Sequence, residues 1–156
     1  MQDWLNNWSA QMAVIATTGY AMLLGGAIGF EREMKNRPAG FRTHMLIAGA
    51  AALLVGLADL IAEQFSAEHY RELVRLDPIR LIEATVAAVG FLGAGTIFRR
   101  GNSGGIAGLT TAASMLMAAA IGISAGLQNY VLGLGVTLMT LFVLRVLSWF
   151  ERRVSK

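Results

Sequence analysis

The chain has 156 residues, 55% of them hydrophobic and only 15% charged, where a soluble domain carries about a quarter charged residues. At ~100–200 residues per domain this length allows one compact unit, which excludes a membrane domain joined to a large soluble enzyme. The absence of cysteine excludes disulfides and thiolate metal sites, and the formal charge of +3 (13 basic minus 10 acidic) is modest.

The charges are sorted along the chain. Residues 4–30, 43–58, 84–98 and 101–144 carry none. The last run would extend about 66 Å as one helix at ~1.5 Å per residue, roughly twice a hydrocarbon core of ~30 Å. It therefore holds two spans with a turn between them. The pattern predicts an all-α fold, a polytopic membrane helix bundle of about five transmembrane helices.

The first helix is expected over Met12–Phe30, with no Lys or Arg before Arg32 to supply the basic region of a signal peptide. It ends in Gly29-Phe30-Glu31-Arg32-Glu33, and the next loop reads Arg37-Pro38-Ala39-Gly40-Phe41-Arg42-Thr43-His44. Two readings fit these acids and bases. One is an anchoring loop whose basic residues meet anionic lipid headgroups. The other is a polar network buried between helices, locked by arginine that cannot neutralise, with His44 as its pH-sensitive member.

The second helix, His44–Glu63, closes on Asp59 and Glu63. Ser66 can cap a short interfacial helix with Glu68 in its first turn, and Tyr70, Leu73, Val74 and Leu76 form its apolar side. Asp77-Pro78 pairs an N-cap with proline at the first helical position and opens the third span, about Ile82–Phe98. Oxygen ligands suit a hard divalent cation such as Mg²⁺, and an intramembrane carboxylate is a functional candidate by default. Asp59, Glu63, Asp77 and Glu83 are thus the cation-receptive candidates. The competing reading is a salt-bridged rim in which Arg71, Arg75 and Arg80 neutralise these acids together with Glu68 and Glu72.

Gly90-Phe91-Leu92-Gly93-Ala94-Gly95 precedes Arg99 and Arg100. A phosphate-cradling loop fails here because no strand leads into the glycines and a Walker lysine is missing. Close helix packing fits better. Glycine at positions 25, 29, 90, 93, 95 and 108 (Gly25, Gly29, Gly90, Gly93, Gly95, Gly108) lets backbones approach, and Thr110 and Thr111 can bond across helices. Gly25-x-x-x-Gly29 and Gly122-x-x-x-Gly126 serve internal packing or a homodimer. The fourth helix is expected over Ile106–Leu127. Gln128 and Asn129, costly at mid-bilayer, break the run before the fifth, Val131–Phe150.

With five spans, nine bases lie on one side: Arg32, Lys35, Arg37, Arg42, Arg99, Arg100, Arg152, Arg153 and Lys156. Arg71, Arg75 and Arg80 lie on the other. The positive-inside rule then makes the N-terminus external and the C-terminus cytoplasmic. Trp4, Trp8 and Trp149 lie near helix ends, as an interfacial aromatic belt requires. No nucleophile–base–orienter set is apparent.

Gly-x-Glu-Arg-Glu, Pro-Ala-Gly-x-Arg-Thr-His, Gly-Phe-Leu-Gly-Ala-Gly and Gly-Leu-Thr-Thr-Ala-Ala follow one another between residues 25 and 126. In this order and spacing they resemble the MgtC/SapB family of bacterial inner-membrane proteins. The resemblance implies a family-motif polar network of Glu31, Arg32, Glu33, Arg37, Arg42, Thr43, His44, Arg99, Arg100, Thr110 and Thr111. It also implies a non-enzymatic regulator that supports adaptation to low magnesium, acid or intracellular stress, with a membrane partner such as the F-type ATP synthase. A cation transporter is the alternative, and a lipid-organising protein the second. The best-known members carry a C-terminal ACT-like soluble domain. This chain ends six residues after Phe150 and is read as one transmembrane domain without it.

Overall fold

The computed structural model describes residues 2–64, 77–99 and 106–147. Helices α1 (Gln2–Met34), α2 (Phe41–Gln64), α3 (Pro78–Ala94), α4 (Leu109–Gly126) and α5 (Tyr130–Phe142) follow in chain order. Beyond α5 the chain continues as a π-helical segment, Val143–Leu147. A two-residue antiparallel ribbon, β1 (Phe98–Arg99) with β2 (Ile106–Ala107), links α3 to α4. The architecture is the expected all-α membrane bundle. Among the described residues, three segments are long and apolar enough to cross a bilayer: Trp8–Met34, Phe41–Gln64 and Leu109–Gly126. Tyr130–Val146 is a shorter apolar helix, and α3 has 17 residues. The expected interfacial helix after Ser66, Arg100 and the tail from residue 148 lie outside the described residues, as do the side chains of Trp4 and Arg99.

Several helix ends follow from specific hydrogen bonds, and these account for some of the shifts from the expected boundaries; α1 begins ten residues before the expected Met12. At the end of α1 the Asn36 N–H bonds to Glu33 O (2.9 Å) and the Arg37 N–H to Arg32 O (3.1 Å), with Asn36 at φ 53. That is a Schellman ending, with Asn in the left-handed position and proline soon after. Glu33 then reaches across the turn, its Oε2 accepting the Phe41 N–H at 2.8 Å. A carboxylate on a helix N-terminus is favourable, so α2 begins three residues before His44. The end of α4 repeats the Schellman pattern, with Gln128 N–H on Ala125 O and Asn129 N–H on Ser124 O, both 2.8 Å. The long uncharged run therefore divides where Gln128 and Asn129 predicted.

Helix α3 starts and stops about four residues earlier than expected. Asp77 accepts the Ile79 N–H at 3.0 Å, with Pro78 next to it, so the cap itself sets the start. At the other end the Thr96 hydroxyl donates to Gly93 O at 2.8 Å, closing the helix before the ribbon. The ribbon had no signal in the sequence, since two-residue strands are too short for a period-two pattern.

Helix α4 is the hub. It packs against α1, α2, α3 and α5, and most of its residues from Ala118 to Gly126 are buried. Lipid tails are as apolar as leucine, so association here rests on close packing and hydrogen bonds. Small residues make that contact. A Cβ at Gly25 would stand 2.5 Å from His44 O, and one at Gly122 would stand 2.2 Å from Ala48 O. Helices α1 and α4 thus flank α2 around Ala48, which is fully buried. Both Gly-x-x-x-Gly faces lie inside the bundle. Leu23, Leu46, Val131 and Met139 lie on the outside, each more than 60% exposed, as lipid-facing positions should.

Candidate functional site

The end of the bundle formed by the last turn of α1, the first turn of α2 and the N-terminal half of α4 encloses a polar cluster. Glu31, Arg32, His44, Thr111 and Ser114 are all buried, none more than 3% exposed. Charges and dipoles so placed must satisfy one another, because each unpaired buried polar group costs about 1–3 kcal/mol or more. The Arg32 Nη2 donates to Thr111 Oγ1 at 2.9 Å, joining α1 to α4. His44 joins α2 to α4 through Nε2 and Ser114 Oγ, 2.9 Å apart. Its Nδ1 lies 2.9 Å from Gly40 O, and the Ser114 hydroxyl stands 2.8 Å from Thr111 O. Glu31 is ion-paired with Lys35 one turn on, and Lys35 Nζ also donates to Leu144 O at 2.7 Å. That bond ties the π-helical segment after α5 to α1.

The sequence pattern of two acids and several bases therefore splits by depth. Glu31 and Arg32 point inward, whereas Glu33, Arg37 and Arg42 are exposed and Thr43 is half-buried. Successive helical residues are about 100° apart around the axis, so Thr111 joins the cluster and its neighbour Thr110 faces outward. The stretch thus holds a buried polar cluster beneath an exposed basic loop. Phe30 and Phe41 stack edge-to-face at 6.5 Å beside that loop. Two members of the cluster were not singled out from the sequence. Lys35 stands at i+4 from Glu31, a spacing that favours ion pairs. Ser114 lies one turn beyond Thr111, on the same face.

Ser114 and His44 have the separation of a nucleophile and its base. Both are sealed in the helix junction, at 3% and 0% exposure, so the pair acts as a structural link between α2 and α4.

The glycines divide in the same way. Gly29 lies against Gly40 O and Phe41 Cα, and Gly93 against Ala112 of α4. Gly95 caps α3. Gly108 has φ +95, and a Cβ there would stand 1.9 Å from Thr96 O. Only glycine takes that conformation without strain. Gly90 departs from the expected packing role, with nothing within 4 Å of its Cβ position. The buried stripe of α3 is Thr85, Val89 and Gly93, and Gly90, one step on from Val89, faces away from α4.

The acids lie elsewhere. Asp59 and Glu63 line a cavity of about 430 Å³ between α1, α2 and the end of α4, together with Thr17 and Gln128. Asp59 is fifteen residues along α2 from His44, about 22 Å at ~1.5 Å per residue, so the cavity is at the other end of the bundle. Nearby, Tyr20 donates to Tyr130 O at 2.9 Å and stacks edge-on against the Tyr130 ring, fixing the start of α5 on α1. Asp77 is occupied as the cap of α3 and lies 3.6 Å from Arg80, and Glu83 is exposed. Among the described residues no three His, Asp or Glu side chains gather as a metal site would need.

A helical membrane protein whose helices are cross-linked at one end by a buried Glu–Arg–His cluster is the class that fold and site define. The chain belongs to the MgtC family, whose sequence profile matches residues 19–153. It is 34% identical over 151 residues to SapB of Bacillus subtilis (strain 168), covering 97% of this chain and 63% of SapB. It is 44% identical over 131 residues to YhiD of Escherichia coli (strain K12), provisionally described as a magnesium transporter, covering 81% and 56%. Identity to MgtC of Brucella abortus (strain 2308) is 38% over 119 residues, covering 76% and 44%. The chain thus spans between 44% and 63% of the length of these relatives. No solved structure matches it.

Proposed function

We propose that this protein is a regulatory protein of the bacterial inner membrane, acting in adaptation to low magnesium by helix-to-helix contact with a membrane partner. Family resemblance makes the F-type ATP synthase the first partner to test. The observation that carries this reading is α3. Only Thr85, Val89 and Gly93 of this helix are buried, Phe91 is 80% exposed, and Gly90 is open. A small residue on an open membrane helix face admits close approach of another helix. The buried cluster supports a scaffold role, since Arg32–Thr111 and His44–Ser114 tie α1 and α2 to α4.

Gly90→Leu tests the contact, because leucine there fills the open face and leaves the α4 side of α3 untouched. A deletion strain carrying Gly90→Leu should grow poorly at low magnesium and fail to co-purify the partner recovered with the unsubstituted protein. Normal growth and normal recovery would refute the reading. With nine bases on one side, we place the N-terminus outside and the C-terminus in the cytoplasm.

The cavity lined by Asp59 and Glu63, together with the description of YhiD, favours a second reading, cation transport. Purified protein in liposomes with a Mg²⁺-sensitive dye tests it. Flux that Asp59→Asn abolishes would establish transport; no flux under a gradient would remove it.

A further inference from the structure

The contacts of His44 contain a proton count that does not close for a neutral ring. Gly40 O, 2.9 Å from Nδ1, can only accept, so Nδ1 must carry hydrogen. Thr111 O, 2.8 Å from Ser114 Oγ, can likewise only accept. Ser114 Oγ has one proton and faces both Thr111 O and His44 Nε2, the latter at 2.9 Å. With a neutral imidazole, three contacts share two protons and one contact goes unmade. With an imidazolium, Nδ1–H donates to Gly40, Nε2–H to Ser114, and the Ser114 hydroxyl to Thr111. All three are then satisfied. An unmade hydrogen bond is expensive at this site, because His44 is fully buried and the effective dielectric is low.

Opposing this are the burial of the ring, which penalises any added charge, and then the charge already present. From α1 the buried Arg32 guanidinium faces the same stretch of α4, bonded to Thr111 one turn from Ser114. Glu31, next to it, is ion-paired with Lys35 through Oε1, and its Oε2 has no hydrogen-bond partner among the described residues, so it is the one nearby buried charge of opposite sign. Arg37 and Glu33 lie beyond on the exposed turn, with Glu33 on the Phe41 N–H. From α4 the facing groups are Thr111 and Ser114, neither of which titrates. The buried side of α3 presents Thr85, Val89 and Gly93, and the segment after α5 presents Leu144 O to Lys35. One added positive charge beside Arg32 is costly, and one completed hydrogen-bond chain is favourable. Opposed contributions of this kind make His44 a candidate for titration.

We propose that His44 is a reversible one-proton binding site at the α1–α2–α4 junction, neutral with hydrogen on Nδ1 at neutral pH and doubly protonated on acidification. The proton taken up completes the His44–Ser114–Thr111 chain and places a second cation beside Arg32, so that acidification acts on the contact of α4 with both α1 and α2. This is a property of the bundle and does not depend on which partner it meets.

The test is ¹⁵N-histidine NMR on the full chain in lipid nanodiscs, in a His69→Gln background that leaves His44 as the sole imidazole. At pH 8 the ring should show hydrogen on Nδ1; an Nε2–H tautomer there would overturn the proton count without any substitution at the site. Between pH 8 and pH 4 both ring nitrogens should become protonated in a single one-proton step. A ring that stays singly protonated to pH 4 would refute the proposal. Ser114→Ala removes the acceptor that the imidazolium needs and should lower the proton affinity of His44 about tenfold or more. An unchanged midpoint in a folded Ser114→Ala protein would equally refute it.

Discussion

Gly122→Ala measures how far the fold depends on backbone contact between α2 and α4. The added Cβ would stand 2.2 Å from Ala48 O, 2.9 Å from Ala48 C and 2.9 Å from Ala51 Cβ. The obstructing atoms are backbone and the first atom of a side chain, which cannot rotate aside. Helix α4 must then move off α2 by about 1 Å, opening gaps around Ala118, Ala119 and Ala125, all fully buried. Overpacking costs about 1–3 kcal/mol, and backbone obstruction puts this site at the upper end. Alanine regains up to ~1 kcal/mol over glycine in helix propensity. The net expectation is a loss of about 2 kcal/mol, roughly 30-fold in the folding equilibrium. Gly135→Ala is the control, since nothing lies within 4 Å of its Cβ position and only the propensity gain applies. Unfolding by SDS titration from mild detergent, followed by far-ultraviolet circular dichroism, reads both. If Gly122→Ala is as stable as the parent, or Gly135→Ala loses as much, small-residue packing is not what holds α4 against α2.

Three further outcomes follow from the same structure. Thr111→Val leaves the buried Arg32 without its Nη2 partner and should cost about 2 kcal/mol, while Thr110→Val, one position away and exposed, should change stability by less than ~0.5 kcal/mol in the same titration. Gly108→Ala forces a side chain into φ +95 and onto Thr96 O; strain of this kind costs of order 1–3 kcal/mol before the clash is counted, so thermal unfolding should move down by several degrees or the protein should fail to accumulate. The natural absence of cysteine makes single-cysteine labelling clean: Gln128→Cys should react with a membrane-impermeant maleimide in intact cells and Arg37→Cys only after lysis, and the reverse result would invert the orientation.

The number of helices and the division of the long apolar run were legible from charge spacing and from Gln128 and Asn129, because burying charge or amide groups in hydrocarbon is costly wherever the chain goes. The entry to α3 was legible in Asp77-Pro78, a local signal that needs no tertiary partner. The motif residues Glu31, Arg32, His44 and Thr111 could be named from sequence, but not which of them meet. One residue step turns a helix by about 100° and two by about 200°, so Glu31 and Glu33, Thr110 and Thr111, or Val89 and Gly90 take different environments, and only the rotation of each helix against the others decides between them. Ser114 and Lys35 enter the cluster for the same reason, since their partners lie on faces that exist once α1, α2 and α4 have packed. What the sequence by itself determined is a low-charge chain of membrane helices with polar groups held to their ends. The tertiary structure decided which of those groups are sealed together around His44 and Arg32, and which face of α3 stays open.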